Sequence, residues 1–248
     1  MHRYMNGNKL NIGDAAKYLN LSIDTLRRWD KNDKLPAKRS EGGHRYYHKL
    51  DLDLHKEDIF ALATNWVLGS PKEPKKEFYC PTSMIFKGRL SKLQSALEKT
   101  LDSDQVALLV AISGEIGNNA FDHNIGNWPD TVGMYFAYNT NKGQIAIADK
   151  GRGVLKTLRR VKTSIRNDSE ALQVAFTERI SGRAPEKRGN GLKLVRNVVS
   201  SNPMDLNFYS GNAQVTIANR MTIKKNDLYY NGCIALISYD KENVNDAN

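Results

Sequence analysis

The chain has 248 residues, of which 40% are hydrophobic and 26% charged, and a formal net charge of +10 at pH 7. This balance is typical of a globular protein, and the excess of Lys and Arg favours an anionic partner such as nucleic acid or nucleotide phosphate. The two cysteines are isolated, which excludes a disulfide framework or a cysteine-based zinc site, and the apolar runs are too short to cross a bilayer.

The first residues lack the apolar stretch of a signal peptide, so we expect a cytoplasmic protein without a membrane partner. Lys and Arg outnumber Asp and Glu most clearly in residues 1–50 and 150–196, which indicates two anionic ligands.

A stretch with two prolines and alternating charges, residues 70–79, predicts a linker. It separates a first domain, 1–69, from a second, 80–240. The last residues, 241–248, read as a polar tail.

The first domain begins with an apolar stripe at helical spacing, formed by Ile12, Ala15, Ala16 and Leu19. Ser22 follows a short turn and is a preferred N-cap for a second helix. Two short helices joined by a tight turn form a helix-turn-helix, whose second helix can enter the major groove of DNA. A basic strand, the turn EGG and the strand HRYYH then predict a β-hairpin.

Residues 10–54 resemble the winged helix-turn-helix of the MerR and excisionase type. The stretches that carry the resemblance are IGDAAKYLNLSIDTLRRWDKNDKLP and GGHRYY. The resemblance implies binding to double-stranded DNA, with the second helix in the major groove and the hairpin, or wing, on phosphates. The residues expected at the DNA are Thr25, Arg27, Arg28, Lys38, Arg39, His44, Arg45 and Tyr46. The alternative interpretation is a solvated charge for each basic residue, a structural role for Arg28 and Arg45, and a core position for Tyr46.

Full-length MerR regulators dimerise through a long helix after the wing. Here the segment after the wing, LDLHKEDIFALATNWVL, is short, so the oligomeric state stays open.

In the second domain, Leu90, Leu93, Leu97 and Leu101 share one helical face, and SDQVALLVAISGEIGNNAFDHN predicts another helix. The alternation in TVGMYFAYNT, the turn NKG and the strand QIAIAD predict a β-hairpin. Further strands are expected at DLNFYS, AQVTIAN and CIALISY. Helices followed by mostly consecutive strands predict an α+β fold.

The second of these helices carries several polar residues that are poor helix formers. Glu115, Asn119 and His123 recur every four positions and therefore share one face. An ordinary solvated face is the alternative interpretation. Asn118 and Asn124 have no assigned role and are expected at the surface.

Two glycine-rich stretches follow, DKGRGV at 149–154 and RGNGLKLV at 188–195, and each alone is also consistent with an ordinary turn or helix start. Taken in order, E-x-x-x-N-x-x-x-H on a helix, D-x-G-x-G after a strand and G-x-G-L opening a helix are similar to the GHKL nucleotide-binding superfamily, in the version of its anti-sigma kinases. The resemblance covers residues 80–240. It implies a two-layer α/β sandwich of the Bergerat type that binds ATP and Mg²⁺.

The resemblance gives each matching residue a role. Glu115 would polarise the nucleophile, and Asn119 would hold Mg²⁺, which prefers oxygen ligands. Asp149 would accept a hydrogen bond from the adenine amino group. The remaining expected nucleotide contacts are His123, Gly151, Gly153, Gly189, Asn190, Gly191 and Leu192. Many members carry Gly-Thr near the final strand, where the threonine supports the adenine aspartate, whereas this chain has Cys233.

The sequence therefore predicts a DNA-binding transcriptional regulator whose binding to DNA or to a partner protein is coupled to ATP and Mg²⁺. An anti-sigma-type protein Ser/Thr kinase or a slow ATPase, targeted to DNA, is the alternative. A DNA-remodelling ATPase and a winged helix joined to an inactive nucleotide fold are the other interpretations.

Overall fold

The structure is a computed structural model, in which the chain forms two compact units, residues 1–62 and 63–248. The described residues are 9–32, 35–49, 52, 58–69, 73–126, 128–129, 131–140, 142–179 and 191–240. The predicted tail 241–248 and residues 70–72 of the predicted linker lie outside them. Residues 73–79 of that linker belong to the second unit.

The described part of the first unit contains helices and a small antiparallel sheet of strand order β1-β3-β2. Its elements are β1 (Lys9–Asn11), α1 (Ile12–Leu19), α2 (Ile23–Lys31), β2 (Lys38–Arg39) and β3 (Arg45–His48).

The helix-turn-helix is stabilised by a helix cap and an apolar core that the sequence predicts. Ser22 caps α2, because its Oγ accepts a hydrogen bond from the backbone N–H of Thr25 at 3.0 Å, which confirms the predicted N-cap. Asn20 ends α1 in the left-handed conformation, with φ of 55°. The predicted stripe is buried at Ala15, Ala16 and Leu19, which pack with Leu26 into one core.

A third helix, α3 (Ile59–Val67), spans the division between the units. The second unit contains a five-stranded antiparallel sheet of order β4-β5-β6-β8-β7. Its strands are β4 (Tyr79–Cys80), β5 (Met134–Asn139), β6 (Gln144–Asp149), β7 (Met204–Ile217) and β8 (Met221–Tyr239). Its further helices are α4 (Ser83–Leu97), α5 (Ser103–Asn124), α6 (Gly153–Leu158), α7 (Asp168–Thr177) and α8 (Gly191–Ser200).

One face of this sheet packs against helices. Phe136 of β5 meets the Phe86 ring of α4 edge to face, with the ring centroids 5.3 Å apart. Ile145 and Ile147 of β6 lie in the same core, and alternation along the strand places Asp149 on this face too. The strand carrying the predicted adenine aspartate therefore ends beneath the helices.

The structure confirms one sequence prediction and refines another. The helix predicted from SDQVALLVAISGEIGNNAFDHN has the same bounds as α5. The strands predicted at DLNFYS and AQVTIAN are one continuous strand, β7, because Gly211 forms part of a bulge instead of a turn.

Candidate functional site

The polar face of α5 meets the start of α8. Glu115, Asn119 and His123 are half-buried, whereas Asn118 is exposed as expected. A Cβ atom at Gly191 would lie 2.7 Å from Glu115 Oε2 and 3.3 Å from Asn119 Nδ2. The fold therefore brings the predicted catalytic residue, the predicted metal ligand and the glycine that begins α8 together, and a side chain at that glycine would require Glu115 to move.

Asp149 lies at the end of β6, and only 5% of its surface is exposed. Its Oδ1 accepts a hydrogen bond from the backbone N–H of Gly151 at 2.7 Å and a longer one from Asn124 Nδ2 at 3.5 Å. Burial raises the pKa of this carboxyl to about 7, although these hydrogen bonds favour the ionised form. A buried carboxylate that keeps acceptor capacity is a strong candidate for ligand recognition.

Asn124 is not at the surface, so the sequence-based expectation for this residue was wrong. It is only 4% exposed, and its side chain connects the end of α5 to the loop after β6. Its Nδ2 donates to Ala120 O at 2.8 Å, and its Oδ1 accepts from the backbone N–H of Arg152 at 3.0 Å. A Cβ at Gly151 would lie 2.1 Å from Asn124 Nδ2. Gly151 is therefore required by the packing of this asparagine.

Cys233 lies opposite Asp149 in the register of β6 and β8. Burial and the charge of Asp149 raise the pKa of the thiol, against a smaller opposing effect of the hydrogen bond with Ser210. The thiol therefore stays protonated. Ser210 Oγ accepts from the backbone N–H of Val154 at 3.0 Å and donates to Gly232 O at 2.9 Å. This serine, which the sequence did not single out, holds the loop beside Asp149.

Two further predicted nucleotide contacts lie at helix starts. Gly153 begins α6 with φ of 73°, a conformation that favours glycine. Leu192 is in the first turn of α8 and packs against the main core. Gly189 and Asn190 lie outside the described residues.

The helix α2 presents the first group of predicted DNA contacts. Arg28 is exposed. Arg27 is exposed as well and pairs with Asp24, with Nη1 and Oδ1 3.0 Å apart. Thr25 is half-buried, and its Oγ1 lies 2.9 Å from Ser22 Oγ. Arg28 is therefore accessible at the surface, and its contact with a base stays a prediction.

Asp30, at the end of α2, organises the wing. Its carboxylate accepts from Arg39 Nη2 at 2.8 Å, from Arg45 Nε at 2.7 Å and from the backbone N–H of Ala37 at 2.7 Å. Burial alone would raise the pKa of Asp30, but the hydrogen bonds and the two guanidinium charges together lower it. Arg39 and Arg45 thus fasten the wing to α2, and their contacts with DNA stay predictions.

The other predicted DNA contacts in the wing are exposed or half-buried. Lys38 and His44 are exposed. Tyr46 packs edge to face on His48, and Lys9 Nζ lies 5.0 Å from its ring centroid. The tyrosine in the core is its neighbour Tyr47, which is fully buried.

Comparison with known proteins addresses the first unit. The model of the MerR family regulatory protein matches residues 11–47. The N-terminal unit carries a MerR-family helix-turn-helix. This match confirms the DNA-binding part of the sequence-based prediction.

The chain is also similar to the chromosome-anchoring protein RacA of Bacillus licheniformis, with 29% identity over 109 residues. The match covers 39% of this chain and 56% of RacA, so the chain spans about half the length of that relative. Every helix in the described parts of the chain is too short or too polar to cross a membrane.

We expect Arg28→Ala and Lys38→Ala to impair DNA binding differently. Loss of Arg28 lowers affinity for the preferred site and relaxes base preference, because a bidentate arginine–guanine pair discriminates by ~1–3 kcal/mol. Loss of Lys38 weakens binding to all sequences and flattens the salt dependence by about one unit of slope. Fluorescence anisotropy at several salt concentrations measures both effects, with Lys17→Ala on the exposed side of α1 as the control. Wild-type affinity and selectivity in both variants would remove these residues from the interface.

Proposed function

We propose that this chain is a DNA-binding transcriptional regulator whose DNA or partner binding is coupled to ATP and Mg²⁺ by a GHKL-type second domain. The observation that carries the nucleotide part is the buried carboxylate of Asp149, which lies under the helices beside Asn124. Burying a carboxylate costs free energy, so a carboxylate buried in this way favours the binding of a ligand that donates a hydrogen bond to it. The amino group of adenine is such a donor.

The phosphates would lie at the other end of the same site. Asn119 precedes Asn124 by five residues, which corresponds to about 7.5 Å along the axis of α5. The α8 N-terminus at Gly191 adjoins Asn119 and Glu115, and a helix N-terminus offers backbone N–H groups to phosphate oxygens. An elongated ligand with a base at one end and phosphates at the other suits this arrangement.

The donor set near Asn119 fits Mg²⁺ in the manner of many nucleotide sites. Among the described residues, there is no cluster of three or more His, Cys, Asp or Glu that could hold a metal. One amide oxygen from Asn119, completed by phosphate oxygens and waters, is a coordination shell that Mg²⁺ accepts. Binding of the cation is therefore expected to depend on the nucleotide.

The DNA part rests on the MerR-type match, which supports double-stranded DNA as a partner. The name of RacA adds chromosomal DNA as the natural context for that binding. The regulatory character in that family description supports the proposed transcriptional role.

The alternative is an anti-sigma-type protein Ser/Thr kinase, or a slow ATPase, targeted to DNA. The position of Glu115 favours it, because a carboxylate one helical turn before the metal ligand can orient or deprotonate a nucleophile at the terminal phosphate. Transfer of label from terminally labelled ATP to a bound protein would support the kinase over the regulator.

The proposed function is tested with the full chain by measuring melting temperature and DNA affinity with and without ATP and Mg²⁺. Saturating ATP should stabilise the protein, by ~2.7 kcal/mol at a hundredfold excess over Kd, and GTP should not. DNA affinity should change by roughly fivefold or more, the usual scale of coupling between sites. No melting shift with ATP would reject the nucleotide assignment, and a shift without a change in DNA affinity would reject coupling to DNA.

A further inference from the structure

A cleft of about 480 Å³ opens in the second unit, beside the loop that follows Asp149. Lys150 lines it, next to Asp149 in sequence but facing the opposite side, since its Nζ lies 5.5 Å from the ring centroid of Trp66. Glu115, Asn119 and Asp149 do not line this cleft. The cleft therefore lies away from these three side chains, although two of the expected nucleotide contacts, Gly151 and Gly153, line it as well.

The wall of the cleft is strongly cationic. It includes Lys150, which is only 6% exposed, together with Arg152, Lys156 and Arg159. The guanidinium of Arg159 is fixed by hydrogen bonds from Nε to Ile165 O at 2.9 Å and from Nη2 to Arg166 O at 2.7 Å. Converging cations in a recess raise the local concentration of an anion.

Among the described residues of this wall, Asp168 alone carries a carboxylate. Its Oδ2 already accepts a hydrogen bond from the backbone N–H of Asn212 at 3.1 Å. A Cβ at Gly211 would lie 2.1 Å from Asp168 Cγ, so this carboxylate is packed against the β7 bulge. Its own contacts thus hold Asp168 at the β7 bulge, beside the basic side chains of the wall.

An exposed aromatic ring lies at the rim of this cleft. Gly211 of β7 pairs with Tyr230 of β8, and Ala213 pairs with Lys225. Between these pairs, four residues of β8 lie opposite a single residue of β7 and form a bulge. Tyr230 is buried against Tyr209, with the ring centroids 5.3 Å apart, whereas Tyr229 lines the cleft and is 54% exposed. Bulges redirect side chains in this way.

We infer that this cleft is a second nucleotide-binding site, which holds phosphate on Lys150, Arg152 and Lys156 and stacks a base on Tyr229. A basic groove with an exposed aromatic ring is the combination that binds nucleotide units with little base preference. The volume suits one such unit. The unit can come from a free nucleotide or from a single strand of nucleic acid, because both present a phosphate beside a planar base.

The experiment uses the full chain carrying Asp149→Asn, so that the candidate ATP site does not contribute, and two thymine probes that lack the adenine amino group. Thymidine monophosphate tests the free nucleotide, and a short fluorescent oligothymidylate tests the single strand. Lys156→Glu should weaken binding of the probe by about tenfold, through repulsion that salt screens. Tyr229→Ala should weaken it roughly five- to a hundredfold, the range for loss of one stacked base.

Arg160→Glu is the matched control, since Arg160 is exposed four residues further along and does not line the cleft. Its affinity should equal that of the parent. Binding of the oligothymidylate alone identifies the single strand as the source, and binding of both probes includes the free nucleotide. Failure of both probes to bind, or equal losses in Lys156→Glu and Arg160→Glu, would overturn the proposal while leaving the ATP assignment intact.

Discussion

Replacing Asp149 with asparagine is expected to weaken ATP binding by roughly 10–100-fold, the range for loss of a hydrogen bond to a charged acceptor. The same substitution should raise the stability of the protein without nucleotide at pH 8. Burial raises the pKa of Asp149 from 3.8 to about 7, so the folded chain holds a proton between these values that the unfolded chain has released. The free energy of unfolding therefore falls as the pH rises through this window.

Above pH 7 the wild type retains the whole cost of the buried charge, roughly 4 kcal/mol at 1.36 kcal/mol per pKa unit between 3.8 and about 7, and the neutral amide does not. The affinity of the wild type for ATP should rise with pH between about 6 and 8, as the carboxylate ionises, while that of Asp149→Asn stays level. Calorimetric titration and thermal melts at pH 6 and pH 8 measure both quantities. Asp205→Asn, an exposed position on β7, is the control. If Asp149→Asn binds ATP as the wild type does, adenine does not bind at this carboxylate.

Local signals predicted much of the fold because they act over a few residues. The hydroxyl of Ser22 reaches an N–H three residues away, and the buried leucines of α4 recur at helical spacing. The sequence of α5 has a strong N-cap at Asp102 and a continuous apolar lead-in. Such features need no knowledge of the rest of the chain.

The missed features depend on partners that are distant in sequence. Asn124 is 25 residues from Asp149, and Asp30 is 15 residues from Arg45, so neither pairing follows a local period. The sequence predicted two separate strands, DLNFYS and AQVTIAN, on either side of Gly211. In the structure its missing side chain makes room for Asp168, which only the packing of α7 against β7 reveals.

Glu115→Ala and Asn119→Ala should fail differently, because the two residues are expected to act on different parts of the reaction. Loss of Glu115 removes a negative charge near the triphosphate, so ATP binding should persist or tighten while turnover falls by ~10²–10⁴-fold, as for a lost general base. Loss of Asn119 removes a magnesium ligand, so binding and turnover should both fall, and added Mg²⁺ should restore part of the loss. Titration with ATP at several Mg²⁺ concentrations, together with phosphate release, separates the two variants.

Asn118→Ala is the matched control for Asn119→Ala, because Asn118 neighbours it on α5 but is exposed. Glu115→Gln keeps the shape of the side chain that packs against Gly191, so it should show the same loss of turnover without a loss of stability. Equal loss of ATP binding and early melting in both alanine variants would make this helix face a packing surface. Wild-type protein that binds ATP without hydrolysis or phosphate transfer would leave Glu115 without a catalytic role and make the domain a nucleotide sensor. We expect slow hydrolysis in the isolated chain, which the phosphate-release assay detects as a rate that Glu115→Gln abolishes.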